Sequence, residues 1–423
     1  MRYYLAVLFA VVIFLIPWIA YNYPAQTNYI FTSLEDIGSQ LASVLVYHNA
    51  KTVAEIQSRY DASNKGVPFA IPKKVRILLV PGHEPAYGGA EYAQLKERDM
   101  VVEVAQDLEQ FFGGNTRYQV FVTRDSKSWS PTFANYFQTG WNDIIAWEQA
   151  HKDEMVNLTR LGKFHPVIPQ VDHQTAPTDV GLRIYGIDKW ANENDIDIVI
   201  HIHFNDYPGH GRAPGEYSGF AIYVPQGQYD NSSTTQALAD TIFTRLAKYN
   251  PVSDLPGESS GIVEDQDLIA IGAYNSVDAA SMLIEYGYIY EPQFTNNALR
   301  SAAIKDLAFQ TYLGLQDFFD PHNAVSLTGS TDTLVMPHKW SNPITSDSSN
   351  SSDVFALQTA LILDGVYPPA DKTKNDCPRT GKLGPCTKAA LQAFQDKFNI
   401  QGEKDIVGPK TLKVLNKTFG QLN

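Results

Sequence analysis

Short apolar runs alternate with stretches of helical periodicity between residues 74 and 320 of the chain. Compact apolar runs, each closed by a polar or turn residue, predict strands at residues 75–80, 118–123, 197–203, 219–224 and 282–285. Apolar positions three or four apart predict helices at residues 96–112, 182–192, 234–248 and 295–319. Strands that alternate with helices predict an α/β domain with an open, largely parallel twisted sheet flanked by helices.

The stretch at residues 125–180 breaks this alternation. It contains the aromatic residues Trp129, Phe133 and Trp141, and later His173 in a proline-containing segment. We interpret it as a helical or irregular insertion within the domain. Its aromatic side chains either form a wall of a substrate groove or pack a small core of the insertion itself.

The N-terminus carries a second kind of pattern, an apolar run at residues 5–20 that follows Arg2. About sixteen residues is short for a spanning helix and long for the apolar part of a cleaved signal. Trp18 stands where a cleavage site needs a small residue, so residues 1–23 are predicted to be an uncleaved signal-anchor. The remainder would then lie outside the cytoplasm, with a cleaved signal as the alternative, and residues 24–73 would form a helical connector.

The C-terminal part contains a linker and a small domain. Residues 321–352 are rich in Ser, Pro and Gly and cannot bury much apolar surface, which is typical of a linker. Residues 353–423 contain two similar turns, Gly384-Pro385 and Gly408-Pro409, that each introduce a helical pattern with Pro at its start. Together with a helix near residues 353–363, they predict a three-helix domain.

Composition and charge restrict the function. The hydrophobic fraction of 44% is that of a globular protein, and 423 residues are too many for one ordinary core. The formal net charge of −13 argues against nucleic acid as a partner, because Lys and Arg are not in excess to neutralise phosphates. Nucleotides are not among the predicted ligands either. The two cysteines, Cys377 and Cys386, lie close together, and in an exported chain they predict a local disulfide.

Candidate chemistry collects where the predicted strands end. His83 follows the first strand, His203 closes the third, Glu285 closes the fifth, and Glu97 opens the helix after the first strand. Sites in open α/β sheets form outside the carboxyl ends of the strands, so these side chains can converge. Two imidazoles and a carboxylate are the usual protein ligands of a catalytic zinc, and a further carboxylate can act as general base.

Each of these residues also has an ordinary structural interpretation. A histidine after a strand is commonly a turn residue, and a glutamate at a helix start favours the helix dipole. Glu285 is harder to explain in this way, because a carboxylate at a buried strand end costs free energy unless it is paired. Glu91 is an alternative to Glu97 as a ligand, although it lies in a Gly-rich loop.

Several motifs of this segment occur in the same order as in one known family. They are Leu79-Val80-Pro81-Gly82-His83, Leu95-Lys96-Glu97-Arg98-Asp99, Val122-Thr123-Arg124, Ile202-His203-Phe204-Asn205 and Leu283-Ile284-Glu285-Tyr286-Gly287. With them, residues 74–320 resemble the zinc-dependent N-acetylmuramoyl-L-alanine amidases that trim bacterial cell walls. The resemblance implies one Zn²⁺ bound by His83, Glu97 and His203, with Glu285 as the catalytic carboxylate and Asn205 as a supporting residue. It also implies cleavage of the amide between N-acetylmuramic acid and the L-alanine of the stem peptide.

The chain departs from that family in three places. Glu84-Pro85 follows His83 where the family has glycines, His201 replaces a serine, and residues 125–180 are inserted. Side chains at positions i and i+2 of a strand share a face, so His201 and His203 point the same way. Only His203 occupies the family's ligand position, and we expect His201 to be a neutral, hydrogen-bonded support beneath the site, with direct ligation as the alternative.

The C-terminal domain resembles three-helix peptidoglycan-binding domains. The resemblance is carried by Leu357-Gln358, Gly381-Lys382-Leu383-Gly384-Pro385, Ala393-Phe394-Gln395 and Val407-Gly408-Pro409-Lys410-Thr411. The sequence thus predicts an amidase of the cell envelope whose partners are peptidoglycan and, through its N-terminus, the membrane. A non-catalytic peptidoglycan-binding or activator protein and a zinc peptidase acting within the stem peptide are the alternatives.

Overall fold

The structure is a computed structural model that describes residues 50–62, 73–171, 173, 176–207, 211–320, 338–346 and 351–420. The predicted signal-anchor at residues 1–23 and most of the predicted connector lie outside these residues. No helix within the described ranges combines the length and the apolar composition that crossing a bilayer requires.

The strands confirm an α/β fold. They are β1 (Val75–Pro81), β2 (Glu91–Tyr92), β3 (Leu95–Lys96), β4 (Tyr118–Val122), β5 (Ile198–Asn205), β6 (Ala221–Pro225), β7 (Ile262–Asp265) and β8 (Ala280–Tyr288). The central sheet has six strands in the order β4-β1-β5-β8-β6-β7, while β2 and β3 form a small hairpin. Strands β4, β1, β5 and β8 pair in parallel, and β6 and its parallel neighbour β7 run antiparallel to them. The largely parallel sheet is therefore confirmed.

The helices connect these strands and follow them to the C-terminus. They are α1 (Val53–Ala62), α2 (Glu97–Gly113), α3 (Pro131–Arg160), α4 (Thr178–Glu193), α5 (Ser232–Tyr249), α6 (Pro292–Thr295), α7 (Arg300–Phe319), α8 (Ser351–Leu363), α9 (Pro385–Lys397) and α10 (Pro409–Thr418). Helix α1, within the predicted connector, stacks the ring of Tyr60 on Phe319 of α7 with 4.4 Å between centroids. It therefore packs on the core that α7 covers.

The two faces of the sheet bury different sets of side chains. One face, which includes Ile77, Ile200 and Ile284, packs against α2, α5 and α7 in the largest apolar core. The other face includes Leu78 and Val199 and packs against α4 and the first part of α3. Alternation along β5 places His201 and His203 on this second face. The second face therefore carries the predicted chemistry.

The insertion supplies part of the cover for the second face. Phe133 of α3 packs against Trp190 of α4 with 4.8 Å between ring centroids, and Phe137 packs against Trp129 at 5.0 Å. These aromatics join the cluster of Leu78 on the sheet, so their core is shared with the sheet and is not confined to the insertion.

Residues 149–165 belong to a second compact unit, whose described part is the end of α3 and the turn after it. The Thr159 hydroxyl donates to the Met155 carbonyl at 2.8 Å, a bond between residues four apart within the helix. The Gly162 N–H then donates to the Thr159 carbonyl at 3.0 Å, which closes the turn that ends the helix.

Helices α8, α9 and α10 form the predicted three-helix arrangement around their own apolar core, and Cys377 and Cys386 form the predicted disulfide. Residues 338–346, which the sequence analysis assigned to a linker, pack on this core. Trp340 is buried there, and its backbone N–H and carbonyl both bond the side chain of Asn416 at 3.0 and 2.8 Å. Serine-rich neighbours obscured the two apolar side chains, Trp340 and Ile344, that anchor this segment.

The C-terminal helices contact the α/β domain through a buried arginine. The Arg379 guanidinium donates to the Asp306 carboxylate at 2.6 Å, the Asn250 side chain at 2.9 Å and the Tyr249 carbonyl at 3.0 Å. Phe355 of α8 also joins the apolar core of the α/β domain. These contacts fix α8 and its neighbours against α5 and α7.

Candidate metal and active site

His83 lies in a loop that leaves β1 with unusual backbone geometry. Its φ of 66° is in the left-handed region, and the loop returns through Gly88 and Gly89 at φ of 86° and 80°. A Cβ on Gly89 would come within 2.7 Å of the His83 ring, so glycine is needed for the loop to close on the imidazole. The loop thereby turns His83 back toward the start of α2.

Glu97 is the first residue of α2, and it is buried. Its Oε2 accepts the Ala90 N–H at 2.7 Å, and its Oε1 accepts the Phe204 N–H at 3.1 Å. Burial by itself would raise the pKa of Glu97, but the rings of His83 and His203 reverse this effect and hold that pKa well below its usual range. The group is therefore a buried carboxylate anion.

His203 approaches the same carboxylate from β5. Its Nδ1 lies 3.1 Å from Glu97 Oε1, and its ring centroid lies 4.8 Å from that of His83. Burial lowers the pKa of His203, so its ring is neutral near pH 7, although the bond to Glu97 acts in the opposite direction. One ligand atom from each of His83, Glu97 and His203 lies within 4.8 Å of the others. We call these three residues the histidine–glutamate cluster.

The cluster fits a divalent metal ion better than it fits a hydrogen-bonded network. His83 Nε2 is 2.8 Å from Glu97 Oε1, yet this buried nitrogen makes no hydrogen bond. Two imidazole nitrogens and one carboxylate oxygen form the donor set of catalytic zinc sites. Glu91 does not join the cluster, because its exposed carboxylate pairs with Arg98 at 2.6 Å.

Glu285 lies beside the cluster on the neighbouring strand. It is the register partner of His203 across β5 and β8, so its backbone is about 4.8 Å away. Burial raises the pKa of Glu285 well above its usual range, and the carboxylates of Glu97 and Glu258 raise it further. Its Oε2 is buried and makes no hydrogen bond. A cation at the cluster would therefore favour the ionised form of this side chain.

Glu258 is a second buried carboxylate, and the sequence did not predict it. Its Oε1 accepts from Asn205 at 2.8 Å and Tyr223 at 2.6 Å, and its Oε2 accepts from Ser253 at 2.5 Å and Tyr288 at 3.1 Å. Asn205, predicted to support the site, thus acts by tying the end of β5 to this carboxylate. No periodicity or motif marks Glu258, which lies in a polar stretch between strands.

Arg124 stabilises the loop of His83 by hydrogen bonds to backbone carbonyls. This buried side chain donates to the carbonyls of Pro81 at 3.1 Å, Gly82 and Arg98 at 3.1 Å. It therefore ties the end of β1 to the first turn of α2. Burial lowers its pKa to about 10, which leaves the guanidinium charged at neutral pH. The Thr-Arg ending of the second predicted strand is in this way part of the site's support.

His201 lies one step deeper along β5 and outside the cluster. Burial, with a smaller contribution from His203, lowers its pKa to about 3, so the ring is neutral. Its Nε2 makes no hydrogen bond, and a supporting role of His201 beneath the site stays a prediction.

The extra charge after His83 is neutralised by the insertion side of the domain. Glu84 is buried, and it accepts from Arg183 of α4 at 2.6 Å and from the Trp129 indole at 3.2 Å. The loop that the family resemblance would build from glycines is here tied to α4 and to the residues just before α3.

No curated protein matches this chain. Similar solved structures include the CwlD amidase from Clostridioides difficile in complex with the GerS lipoprotein, with 15% identity over 59% of this chain and 100% of that chain and a TM-score of 0.39. The N-acetylmuramyl-L-alanine amidase Ami1 from Mycobacterium smegmatis is 14% identical over 59% of this chain and 98% of that chain, with a TM-score of 0.39. A sequence model of the family described as N-acetylmuramoyl-L-alanine amidase matches residues 170–317, which include His203 and Glu285.

Proposed function

We propose that this protein is a zinc-dependent peptidoglycan hydrolase that cleaves the amide between N-acetylmuramic acid and the L-alanine of the stem peptide. The observation that carries the proposal is the convergence of His83, Glu97 and His203 within 4.8 Å, with Glu285 as the register partner of His203. The family match over residues 170–317 supports the choice of bond.

His83, Glu97 and His203 would hold the ion, which supplies Lewis acidity that polarises a carbonyl and lowers the pKa of a water. Glu285 would act as the general base, since its Oε2 makes no hydrogen bond and can accept the proton of the attacking water. Glu285 then gives this proton to the leaving nitrogen of L-alanine.

Residues around the cluster keep this geometry. Arg124 fixes the carbonyls of Pro81 and Gly82, so the His83 loop cannot drift from α2. Glu258 holds Asn205 at the end of β5, two residues beyond His203. Both side chains position other groups and are not assigned contact with the substrate.

Substitution of the carboxylate tests the proposal. Glu285→Gln in the full chain with added zinc is expected to keep its bound metal and to lose about 10²–10⁴-fold in the release of stem peptides from purified peptidoglycan. Metal content is read by elemental analysis and released fragments by mass spectrometry. Hydrolysis by the variant at the native rate would remove Glu285 from the mechanism, and fragments cut within the stem peptide would identify a peptidase.

We further propose that the protein acts outside the cytoplasm, attached by an N-terminal signal-anchor, and that α8–α10 bind peptidoglycan. The Cys377–Cys386 disulfide supports an oxidising compartment. Membrane fractionation of the full chain tests the anchor. Pull-down of purified sacculi with the full chain, with and without a deletion of residues 338–423, tests the binding domain.

A further inference from the structure

A cavity of about 490 Å³ extends from the histidine–glutamate cluster along the second face of the sheet, and we call it the side cavity. His83 and His203 line one end of it, and His173, Asp265 and Asp267 line the other. Apolar side chains of α4 and of β8, among them Ile184, Ile187 and Leu283, line the part between.

The sheet register gives the length of the side cavity. His201 pairs with Leu283, Leu283 with Tyr223, and Tyr223 with Val263, so these positions cross the sheet in one line. The His173 ring lies over this line, 5.0 Å from the Tyr223 ring. With about 4.8 Å between strands and 3.3 Å per residue, the backbone of Tyr223 beneath the His173 ring lies roughly 10–15 Å from that of His203. Asp265, the register partner of Pro225, lies one strand further across and two residues deeper, roughly 20 Å from His203.

The far end of the side cavity carries two aspartates, and the fold leaves one oxygen of Asp265 without a hydrogen bond. Asp265 is 1% exposed, and its Oδ1 accepts the N–H groups of Asp267 and Leu268 at 2.7 and 2.9 Å. Its Oδ2 makes no hydrogen bond and lies 3.4 Å from His173 Nε2. Asp265 and Asp267 both line the cavity, and the Asp267 side chain is exposed.

The insertion builds this end of the side cavity. The Val167 N–H donates to the Gln266 side chain at 2.9 Å, and Val171 packs into the apolar cluster of Tyr223 and Leu283. Gly257 allows the same segment to approach, because a Cβ there would lie 2.5 Å from the Gln170 carbonyl oxygen. Three separate contacts therefore hold the segment that carries His173.

Of the described residues that line the side cavity, Arg183 is the only arginine or lysine. Its guanidinium is already occupied by Glu84 at 2.6 Å and Asp179 at 2.5 Å. The acidic end is thus without a permanent positive charge of its own. An apolar passage that ends at one buried and one exposed carboxylate suits an aliphatic chain with a terminal ammonium group.

We propose that the side cavity binds a lysine-like residue of the stem peptide, with its ammonium group at Asp265 and Asp267. This inference rests on the proposed function, because it places the scissile amide at the histidine–glutamate cluster. Three extended peptide residues span roughly 10 Å, so the third residue of the stem lies about midway along the side cavity and its extended side chain points toward the acidic end. The structure thereby assigns the inserted segment a role in substrate selection.

Binding of two tripeptides tests the proposal without requiring turnover. One is the stem tripeptide with lysine at its third position, and the other has norleucine there, which keeps the aliphatic chain and removes the charge. Calorimetry on the full chain with added zinc is expected to give about tenfold or tighter affinity for the lysine peptide, since its ammonium group pairs with the carboxylates of Asp265 and Asp267. Equal affinities would overturn the proposal.

Variants locate the effect. Asp265→Asn keeps the Oδ1 acceptor of the turn, and it is expected to abolish the preference by weakening only the lysine peptide. Asp267→Asn is the second variant, with the same direction, in case the first does not fold. Glu264→Gln is the matched control, because this exposed neighbour accepts the Gly227 N–H and lies outside the lining of the cavity. A preference retained in both aspartate variants would contradict the proposal.

Hydrolysis of the corresponding muramoyl peptides separates this inference from the proposed function. Turnover without a lysine preference would leave the amidase assignment standing and refute the subsite. A lysine preference in binding without any turnover would leave the subsite standing and refute the amidase assignment.

Discussion

Two buried ionic clusters of this protein differ in how completely they are bonded. In the first, Glu97 is approached by the rings of His83 and His203, and His83 Nε2 makes no hydrogen bond although it lies 2.8 Å from the carboxylate. In the second, Arg379 donates from Nε and from both terminal nitrogens, and its positive charge pairs with Asp306 at 2.6 Å. Both central residues are 3% exposed.

Two equally buried charged residues can thus have different roles, one structural and one in binding. A buried charge that is fully paired and hydrogen-bonded joins parts of a fold, and removal of one partner leaves the other uncompensated. Two imidazoles and a buried carboxylate are the donor set of a zinc site, and we propose that a metal ion completes the first cluster. The difference supports a structural joint in one case and a binding site in the other.

The largest expected difference between the two clusters is the change in stability when zinc is added. At a free concentration of about 1,000 times Kd, zinc is expected to raise the free energy of unfolding by about 4 kcal/mol, because it binds only the folded cluster. Glu97→Gln is expected to lose this response together with hydrolytic activity. Arg379→Met is expected to keep the response in full. Urea unfolding with and without zinc measures the response of the unmodified chain and of both variants. A zinc response in Glu97→Gln would show that the ion binds elsewhere.

Arg379→Met is expected to have the next largest effect. The substitution leaves the Asp306 carboxylate buried without its partner and should lower the free energy of unfolding by about 3–5 kcal/mol. Lys382→Met is the matched control, since this exposed cation lies three residues further along and its loss should change stability by less than about 0.5 kcal/mol. Equal effects of the two substitutions would remove the distinction between joint and surface charge.

Glu258→Gln tests whether full hydrogen bonding also marks a structural role close to the first cluster, because Glu258 is a second fully bonded charge that lies near it. Its four hydrogen bonds all come from donors, so an amide NH₂ would face a donor and cost about 1–3 kcal/mol of stability. The hydrolysis rate should fall while bound zinc is retained, since Asn205 loses its anchor. Unchanged stability would show that the site relaxes around the amide.

The smallest effect is expected at a half-exposed pair. Burial acts to raise the pKa of Asp195, but hydrogen bonds from Arg59 and Lys51 lower it to about 2. Since this folded pKa lies below the unfolded value of about 3.9, the pair stabilises the fold above pH 4 and loses this contribution as pH falls toward 2. The loss should stay below about 1 kcal/mol, because the Asp195 side chain is 48% exposed. Comparison with Asp195→Asn in urea unfolding at pH 6 and pH 3 measures it.

The histidine–glutamate cluster was accessible from the sequence because its members lie at strand and helix ends. Apolar runs fixed the ends of β1 and β5, and parallel strands bring such ends to one edge. The strand β7 was missed, since Ile262–Asp265 is only four residues long and ends in two acids. Its direction, antiparallel to β8, places Asp265 away from the cluster and could not be inferred from local pattern.

The contacts of Arg379 and Glu258 depend on pairing between distant segments. Arg379 and Asp306 are 73 residues apart, and Glu258 bonds Asn205 from 53 residues away. Neither residue lies on a periodic apolar face, which is the signal that single-sequence reasoning uses. Polar side chains that join elements across the fold therefore remained outside its reach.

Gly82 has a consequence for how related sequences are interpreted. A Cβ at this position would lie 2.3 Å from Cε1 of His203, so the absence of a side chain is what leaves room for the imidazole. In a homologue that keeps both histidines but carries alanine or a larger residue here, the second histidine has to move. A glycine at this position therefore distinguishes homologues in which both histidines can take the positions seen here from homologues that have the two histidines but no room for this arrangement.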